Sequence, residues 1–168
     1  MKYLFIVFSL SLILSFESCK RFSNTYPFSS ASKIEVLSYE TRYNWDTLED
    51  NSRGNFINDN LILKGKLRLN PKKISERVQL SKRQSEELFD ILYAFNFDLV
   101  EQVSACYEPR HAFIFYDEKN NAIASIEICL MCSNKKSSKG VPKFKLNYSK
   151  IENISLFLKS IGIKKFED

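Results

Sequence analysis

The chain has 168 residues, of which 44% are hydrophobic and 14% aromatic, and its formal net charge is +5 at pH 7. This length provides for one modest hydrophobic core and not for two. Because the chain contains only four Gly and four Pro, its composition excludes a largely disordered protein.

The first feature along the chain is an apolar leader. Residues 3–16 form an apolar run that follows Lys2 and ends shortly before Cys19. The run is short for a transmembrane helix and has the length of a signal-peptide core, with a buried N-terminal helix or strand as the alternative. A plain secretory signal ends in small residues two apart, whereas here Glu17 and Ser18 precede the cysteine.

The stretch Phe16-Glu17-Ser18-Cys19 resembles the lipobox of bacterial lipoproteins, in the looser form found in Bacteroidota-type lipoproteins. Ser18 fits the pattern, whereas Phe16 and Glu17 depart from the strict form, which prefers Leu and a small residue. The resemblance implies a signal peptide over residues 1–18, acyl chains on Cys19, and a protein exported and anchored to the cell envelope, facing the periplasm. Two or more acyl chains give stable anchoring. The motif implies no activity.

The rest of the chain divides into a tether and a domain. Residues 19–32 are rich in Ser, which predicts a flexible tether between membrane and domain. Residues 33–168 predict a single domain. Its first predicted strand covers residues 33–40, and a loop containing Trp45 follows.

Residues 61–69 alternate Leu with basic residues, which predicts one half-buried strand whose wet face carries Lys64, Lys66 and Arg68. We interpret this basic face as an ordinary solvated surface. Attraction to an anionic membrane is the alternative. Export removes the protein from nucleic acid, so we expect no nucleic-acid partner.

Two helices and several short strands complete the predicted fold. Residues 76–80 predict a short strand, and residues 81–96 a helix with Ser81 and Gln84 as its capping box. After a hairpin, residues 133–143 predict a loop and residues 144–148 a short strand. Residues 149–162 predict a second helix that starts with a Ser149–Glu152 capping box and ends at Gly162. The sequence therefore predicts an α+β fold: an antiparallel sheet of about five strands with two helices packed on it.

The hairpin over residues 111–130 is the clearest element of the sequence. Two aromatic and β-branched runs flank a turn closed by Asp117 and Asn121, with Asn120 in the left-handed conformation. Counting outward from the turn, Tyr116 faces Ala122. The same register places Ile114 opposite Ala124, Ala112 opposite Ile126, and His111 opposite Glu127 with Cys129 nearby.

Three cysteines remain in the domain once Cys19 is set aside, and an exported domain can form disulfides. Continued pairing past the hairpin places Cys106 opposite Cys132 and points Cys129 to the other face. Because Pro109 lacks an N–H and can distort the ladder, a Cys106–Cys129 pair stays open. The sequence predicts one disulfide, Cys106 to Cys132, with Cys129 as the alternative partner.

Chemical alternatives use the same cluster. Cys106, His111, Cys129 and Cys132 have the residue types of a tetrahedral zinc site. The C-x-x-C of Cys129 and Cys132 could also act alone as a redox pair, although it follows a strand and not a helix N-terminus.

A hydrolase would use Cys129 as nucleophile, His111 as base and Glu127 to orient the base. The simpler interpretation is that His111 and Glu127 form a cross-strand pair that stabilises the sheet and has no catalytic role. The sequence contains no phosphate-binding loop, G-x-S-x-G or H-E-x-x-H motif.

The domain also loosely resembles small Bacteroidota-type lipoproteins, on the stretch C-Y-x-P-R-H-A at 106–112 and on I-C-x-x-C at 128–132. That group has no activity to carry over. The leading hypothesis is a membrane-anchored lipoprotein with a non-enzymatic domain that needs no cofactor and binds an unknown protein or envelope ligand. The alternative is a zinc- or thiol-dependent protein that acts through Cys106, His111, Cys129 and Cys132.

Overall fold

The computed structural model describes Phe22 and residues 24–40, 60–93 and 104–166. Within these residues the chain forms a five-stranded sheet, a two-stranded hairpin and two α-helices. In chain order the elements are β1 (Lys33–Tyr39), β2 (Ile62–Leu63), β3 (Lys66–Leu67), a short 3-10 helix (Pro71–Lys73), β4 (Ile74–Gln79), α1 (Lys82–Tyr93), β5 (His111–Tyr116), β6 (Ala122–Cys129), β7 (Asn134–Ser137) and α2 (Tyr148–Ser160). The predicted signal peptide, Cys19 and Trp45 lie outside the described residues.

The large sheet has the order β4-β1-β5-β6-β7, and every neighbouring pair is antiparallel. This confirms the predicted α+β fold with an antiparallel sheet. Its central strands are buried on both faces because each face supports its own apolar cluster. The helices pack on one face, which we call the helix face. The β2–β3 hairpin packs on the other, which we call the hairpin face.

The described part of the segment predicted as a tether, Phe22 and residues 24–32, packs on the domain. Phe28 is only 4% exposed, and its ring lies 5.0 Å from that of Phe115 and 5.2 Å from that of Phe89. Phe22 packs on the rings of Phe28 and Phe89, and the hydroxyl of Tyr26 donates to the Ile123 carbonyl at 2.8 Å. The Ser-rich composition suggested a flexible linker, but the aromatic residues within it bury enough apolar surface to hold the segment in place.

Residues 61–69 form a hairpin and not the single strand that the alternation predicted. Lys64 and Gly65 occupy a two-residue turn with φ of 50° and 75°, and Leu63 pairs with Lys66 across it. Two consecutive positive φ angles are typical of a type I′ turn, which favours Gly at its second position. Lys64, Lys66 and Arg68 are nevertheless exposed, as predicted.

The register of β5 and β6 departs from the prediction at one residue. The turn is as predicted: Asp117 and Asn121 close it, and Asn120 has φ 60°. Tyr116 faces Ala122, but Phe115 then faces Ala124, so that Ile123 is an extra residue in a β-bulge. Beyond the bulge every partner shifts by one, and His111 faces Ile128 instead of Glu127.

The C-terminal third differs from the prediction in three further places. Residues 134–137 form edge strand β7 where a loop was predicted. Residues 144–147 form no strand, although Phe144 and Leu146 are buried. Helix α2 is capped by the Asn147 side chain, which accepts from the Lys150 N–H at 2.9 Å, instead of by Ser149. Gly162, with φ 96°, ends the helix as predicted.

Candidate functional site

The bulge separates the three predicted catalytic residues onto opposite faces of the sheet. His111 alternates with Phe113 and therefore points to the helix face, where Phe113 is part of the apolar cluster beneath the helices. Glu127 points to the hairpin face, where its carboxylate meets Tyr39. Cys129, two residues farther along β6, shares the face of Glu127. The structure therefore does not assemble the predicted His111–Glu127–Cys129 site, and the His111–Glu127 pair was a wrong prediction.

His111 instead fastens the C-terminal segment to the sheet. Its Nε2 lies 3.0 Å from the carbonyl oxygen of Lys165, and its ring lies 5.2 Å from that of Phe166. Glu76, on the edge strand β4, completes this contact. Its carboxylate accepts from the N–H groups of Lys164 and Lys165 at 3.0–3.1 Å and from the Ser38 hydroxyl at 2.8 Å. These contacts serve a structural role at the end of the sheet opposite the Asp117–Asn121 turn.

Both ionisable groups of this contact have pKa values below their ordinary range. Burial lowers the pKa of His111, and the Lys165 carbonyl and Glu76 only partly oppose it. Burial acts to raise the pKa of Glu76, but hydrogen bonds from Lys165, Ser38 and Lys164, together with His111, outweigh burial and lower it. Since the unfolded chain then binds each proton before the folded chain does, acidification destabilises the fold. The loss starts below about pH 6.5 for His111 and below about pH 4.5 for Glu76.

We therefore expect the His111→Gln variant to lose less stability on mild acidification than the parent protein. Gln keeps a hydrogen-bond donor near Lys165 but does not titrate, and the chain has no other histidine. The free energy of unfolding, measured by urea denaturation at about pH 7 and about pH 5.5, isolates the histidine because carboxylates titrate little in this range. An identical loss in both proteins would refute the assignment.

Glu127 is a buried carboxylate held by two tyrosines. It is 1% exposed, its Oε1 accepts from the Tyr39 hydroxyl at 2.8 Å, and its Oε2 accepts from the Tyr107 hydroxyl at 2.9 Å. Tyr39 ends β1, whereas Tyr107 lies in the segment that precedes β5. The carboxylate thereby joins that segment to the sheet. The sequence analysis assigned no role to Tyr39 or Tyr107, because both residues reach Glu127 from positions distant in the chain.

The structure joins Cys106 to Cys132 by a disulfide with an S–S distance of 2.10 Å, which is the predicted pair. Neither cysteine belongs to a strand. Cys106 precedes β5 and Cys132 lies in the turn between β6 and β7. Asn134 supports the link, since its Nδ2 donates to the Cys106 carbonyl at 3.2 Å. The predicted cysteine pair is therefore correct, although the β5–β6 register from which it was predicted is wrong beyond the bulge.

Cys129 is the free cysteine among the described residues, and it is a poor nucleophile. It is 1% exposed, and the Cys132 N–H donates to its sulfur at 3.2 Å. Burial raises the pKa of the thiol, and N–H contacts from Glu108 and Cys132 do not compensate. A buried, protonated thiol suits neither attack on a substrate nor metal binding.

We expect the Cys129 thiol of the folded protein to react with iodoacetamide at least about 100-fold more slowly than in denaturant, because alkylation requires an accessible thiolate. Rates followed by mass spectrometry at a mildly alkaline pH test this expectation. Unfolding without reductant should release one reactive thiol in the domain, and added reductant should release Cys106 and Cys132 as well. Rapid labelling of the folded protein at Cys129 would contradict the described burial.

The predicted zinc site is also dispersed. Cys106 and Cys132 are consumed by the disulfide, and His111 lies across the sheet from Cys129. In the described part of the chain, no three His, Cys, Asp or Glu residues are grouped so that they could hold a metal ion.

The described residues also form an open groove of about 760 Å³ between α1 and α2. Its lining includes the carboxylates of Glu86, Glu87 and Asp90 beside Leu156 and Phe157. None of the predicted site residues lies there.

Comparison with protein-family models, with curated proteins and with solved structures finds no match for this chain. Among the helices that the structure describes, none has the length and apolar character needed to cross a bilayer.

Proposed function

We propose that this protein is a lipoprotein of the bacterial cell envelope, anchored by acyl chains on Cys19, whose domain binds a protein or envelope ligand without catalysing a reaction. The observation that carries the proposal is the leader: an apolar run over residues 3–16 followed by Glu17, Ser18 and Cys19. A run of this length is suited to export and short for a stable span.

The disulfide is the second line of support. A Cys106–Cys132 link persists in an oxidising compartment and is rare where thiols are kept reduced. The domain therefore has a cross-link that is compatible with export. The pattern of three domain cysteines, two linked and one buried, leaves no exposed thiol among the described residues.

The candidate catalytic groups are already engaged in contacts within the domain, which supports a binding function over an enzymatic one. His111 bonds to the C-terminal backbone, Glu127 accepts from two tyrosine hydroxyls, and Cys129 is buried with a raised pKa. A general base or nucleophile must reach a substrate atom within hydrogen-bond distance. His111 and Glu127 instead hold segments of the domain together, and Cys129 is inaccessible.

The anchor is tested by replacing Cys19 with Ala in a bacterial host supplied with labelled palmitate. We expect the parent protein to carry the label, to fractionate with membranes, and to show an intact mass that begins at Cys19 plus acyl chains. The Cys19→Ala variant should carry no label and leave the membrane fraction or remain uncleaved. Cys129→Ala is the matched control and should be labelled like the parent. Equal labelling of the parent and the Cys19→Ala variant would refute the anchor.

A further inference from the structure

The β2–β3 hairpin presents an unusual surface at one end of the sheet. Leu63 is 54% exposed beside the turn, and Lys64, Lys66 and Arg68 around it are also exposed. Residues 60–75 contain no Asp or Glu. Ile62 and Leu67 pack inward on the hairpin face and fix the hairpin to the domain. We call Leu63, Lys64, Lys66 and Arg68 the hairpin tip.

The hairpin tip lies at the same end of the sheet as the N-terminal segment. The Gly65 carbonyl accepts from the Ala122 N–H at 2.8 Å, and the Tyr26 hydroxyl donates to the carbonyl of the next residue, Ile123, at 2.8 Å. Consecutive residues of β6 therefore hold the hairpin from one side and the N-terminal segment from the other. Both attachments are made where β6 leaves the Asp117–Asn121 turn.

The chain between the proposed acylation site and the packed domain is short. Phe22 already packs on Phe28 and Phe89, and it is three residues from Cys19. Three residues span at most about 11 Å even when extended. Acyl chains on Cys19 therefore hold this end of the domain against the bilayer surface, in contrast to the long flexible tether that the composition predicted.

We propose that the hairpin tip docks onto anionic phospholipid headgroups of the membrane that holds the acyl chains. This inference rests on the proposed lipoprotein anchor. Lys64 and Lys66 bind headgroup phosphates, Arg68 adds positive charge beside them, and Leu63 enters the headgroup layer. Each basic residue near an anionic surface strengthens such attraction about fivefold.

Among the described residues, the Asp117–Asn121 turn beside the hairpin tip adds one exposed acid. The carboxylate of Asp117 is engaged within its own turn by Lys119 and Asn121, which leaves Glu118 as the exposed acid of that turn. Lys119 stands next to it. The hairpin tip itself is therefore basic with one apolar projection, which suits anionic headgroups better than zwitterionic ones.

Hydrogen exchange of the full-length lipidated protein in nanodiscs tests the docking. One set of nanodiscs contains phosphatidylcholine alone, and the other contains about one third phosphatidylglycerol, enough to give an anionic surface. We expect amide exchange over residues 62–68 to slow at least about threefold in the anionic nanodiscs. Exchange over residues 161–166, which pack at the opposite end of the sheet, should be the same in both. The triple variant Lys64→Glu, Lys66→Glu, Arg68→Glu should lose the slowing without a change in Tm.

The matched control is the triple variant Lys72→Glu, Lys159→Glu, Lys164→Glu, whose exposed residues lie toward the end of the sheet that carries Glu76. It should keep the slowing because its net charge changes equally but its hairpin tip does not. Equal exchange in both nanodiscs, or slowing that survives in the hairpin variant, would overturn the inference. Equal protection by soluble double-stranded DNA would also overturn it in favour of a general polyanion site. The intact mass of the same sample shows whether Cys19 is acylated, so a missing anchor is distinguished from a hairpin that does not dock.

Discussion

Replacing Cys106 with Ala is expected to lower the free energy of unfolding by about 3.5 kcal/mol. The disulfide closes a loop of 26 residues, and removing it restores the conformational entropy of that loop to the unfolded chain. Such a loss is a large share of the roughly 5–15 kcal/mol that stabilises a typical domain. Urea denaturation of the oxidised parent and of the variant, compared at the same pH, gives the difference.

The cysteine variants provide their own controls. Cys132→Ala should cost about as much as Cys106→Ala, and the double variant little more than either single one, because all three remove the same cross-link. Cys129→Ala should cost less, since it removes one buried sulfur and no cross-link. If Cys129→Ala cost more than Cys106→Ala, or if peptide mapping linked Cys106 to Cys129, the described disulfide would be wrong.

The Glu127→Ala variant is expected to lose about 3 kcal/mol of unfolding free energy. Truncation removes the carboxylate that accepts from the hydroxyls of Tyr39 and Tyr107, and the loss of a buried hydrogen-bond acceptor costs about 1–3 kcal/mol. Thermal and urea unfolding of the parent and the variant measure the loss. The effect should appear as greater exposure of the segment that precedes β5, which proteolysis can detect.

Smaller variants distinguish the shared carboxylate from general packing. Tyr107→Phe removes one donor and should cost about 1 kcal/mol. In the background of Glu127→Ala the same change should cost less, because the carboxylate acceptor is already gone. A cost of Tyr107→Phe that is unchanged in that background would show that the tyrosine acts through its ring and not through Glu127.

The parts of the fold that follow from local chemistry were predictable from the sequence. The turn from Asp117 to Asn121 was predicted down to the left-handed Asn120, because a short polar turn has few allowed conformations. The Ser81–Gln84 capping box is present, with hydrogen bonds of 2.8 and 3.3 Å in the two directions. Each of these features depends on residues at most four apart, so the sequence contains all of the relevant information.

The parts that failed depend on distant residues. The bulge at Ile123 is one residue long, yet it moves Glu127 and Cys129 to the face opposite His111. A single sequence does not reveal where tertiary packing inserts an extra residue. The alternation of residues 61–69 was equally consistent with a strand or a hairpin, and only Gly65 indicated the turn. The predicted His111–Glu127–Cys129 site was wrong because of the bulge. The predicted disulfide was correct because its cysteines lie beyond the strand ends, where the strand register does not decide the pairing.

The position of β1 in the sheet has a consequence for the order in which the protein can fold. This strand, near the start of the domain, lies between β4 and β5, and Lys33 pairs with Tyr116. Contacts between residues so far apart raise the contact order and slow folding. As the chain leaves a ribosome or a translocation channel, β1 must wait for most of the domain to follow before its second edge is covered. For a protein exported as we propose, such a delay keeps the chain unfolded, and therefore able to pass through the translocation channel, until it has crossed the membrane.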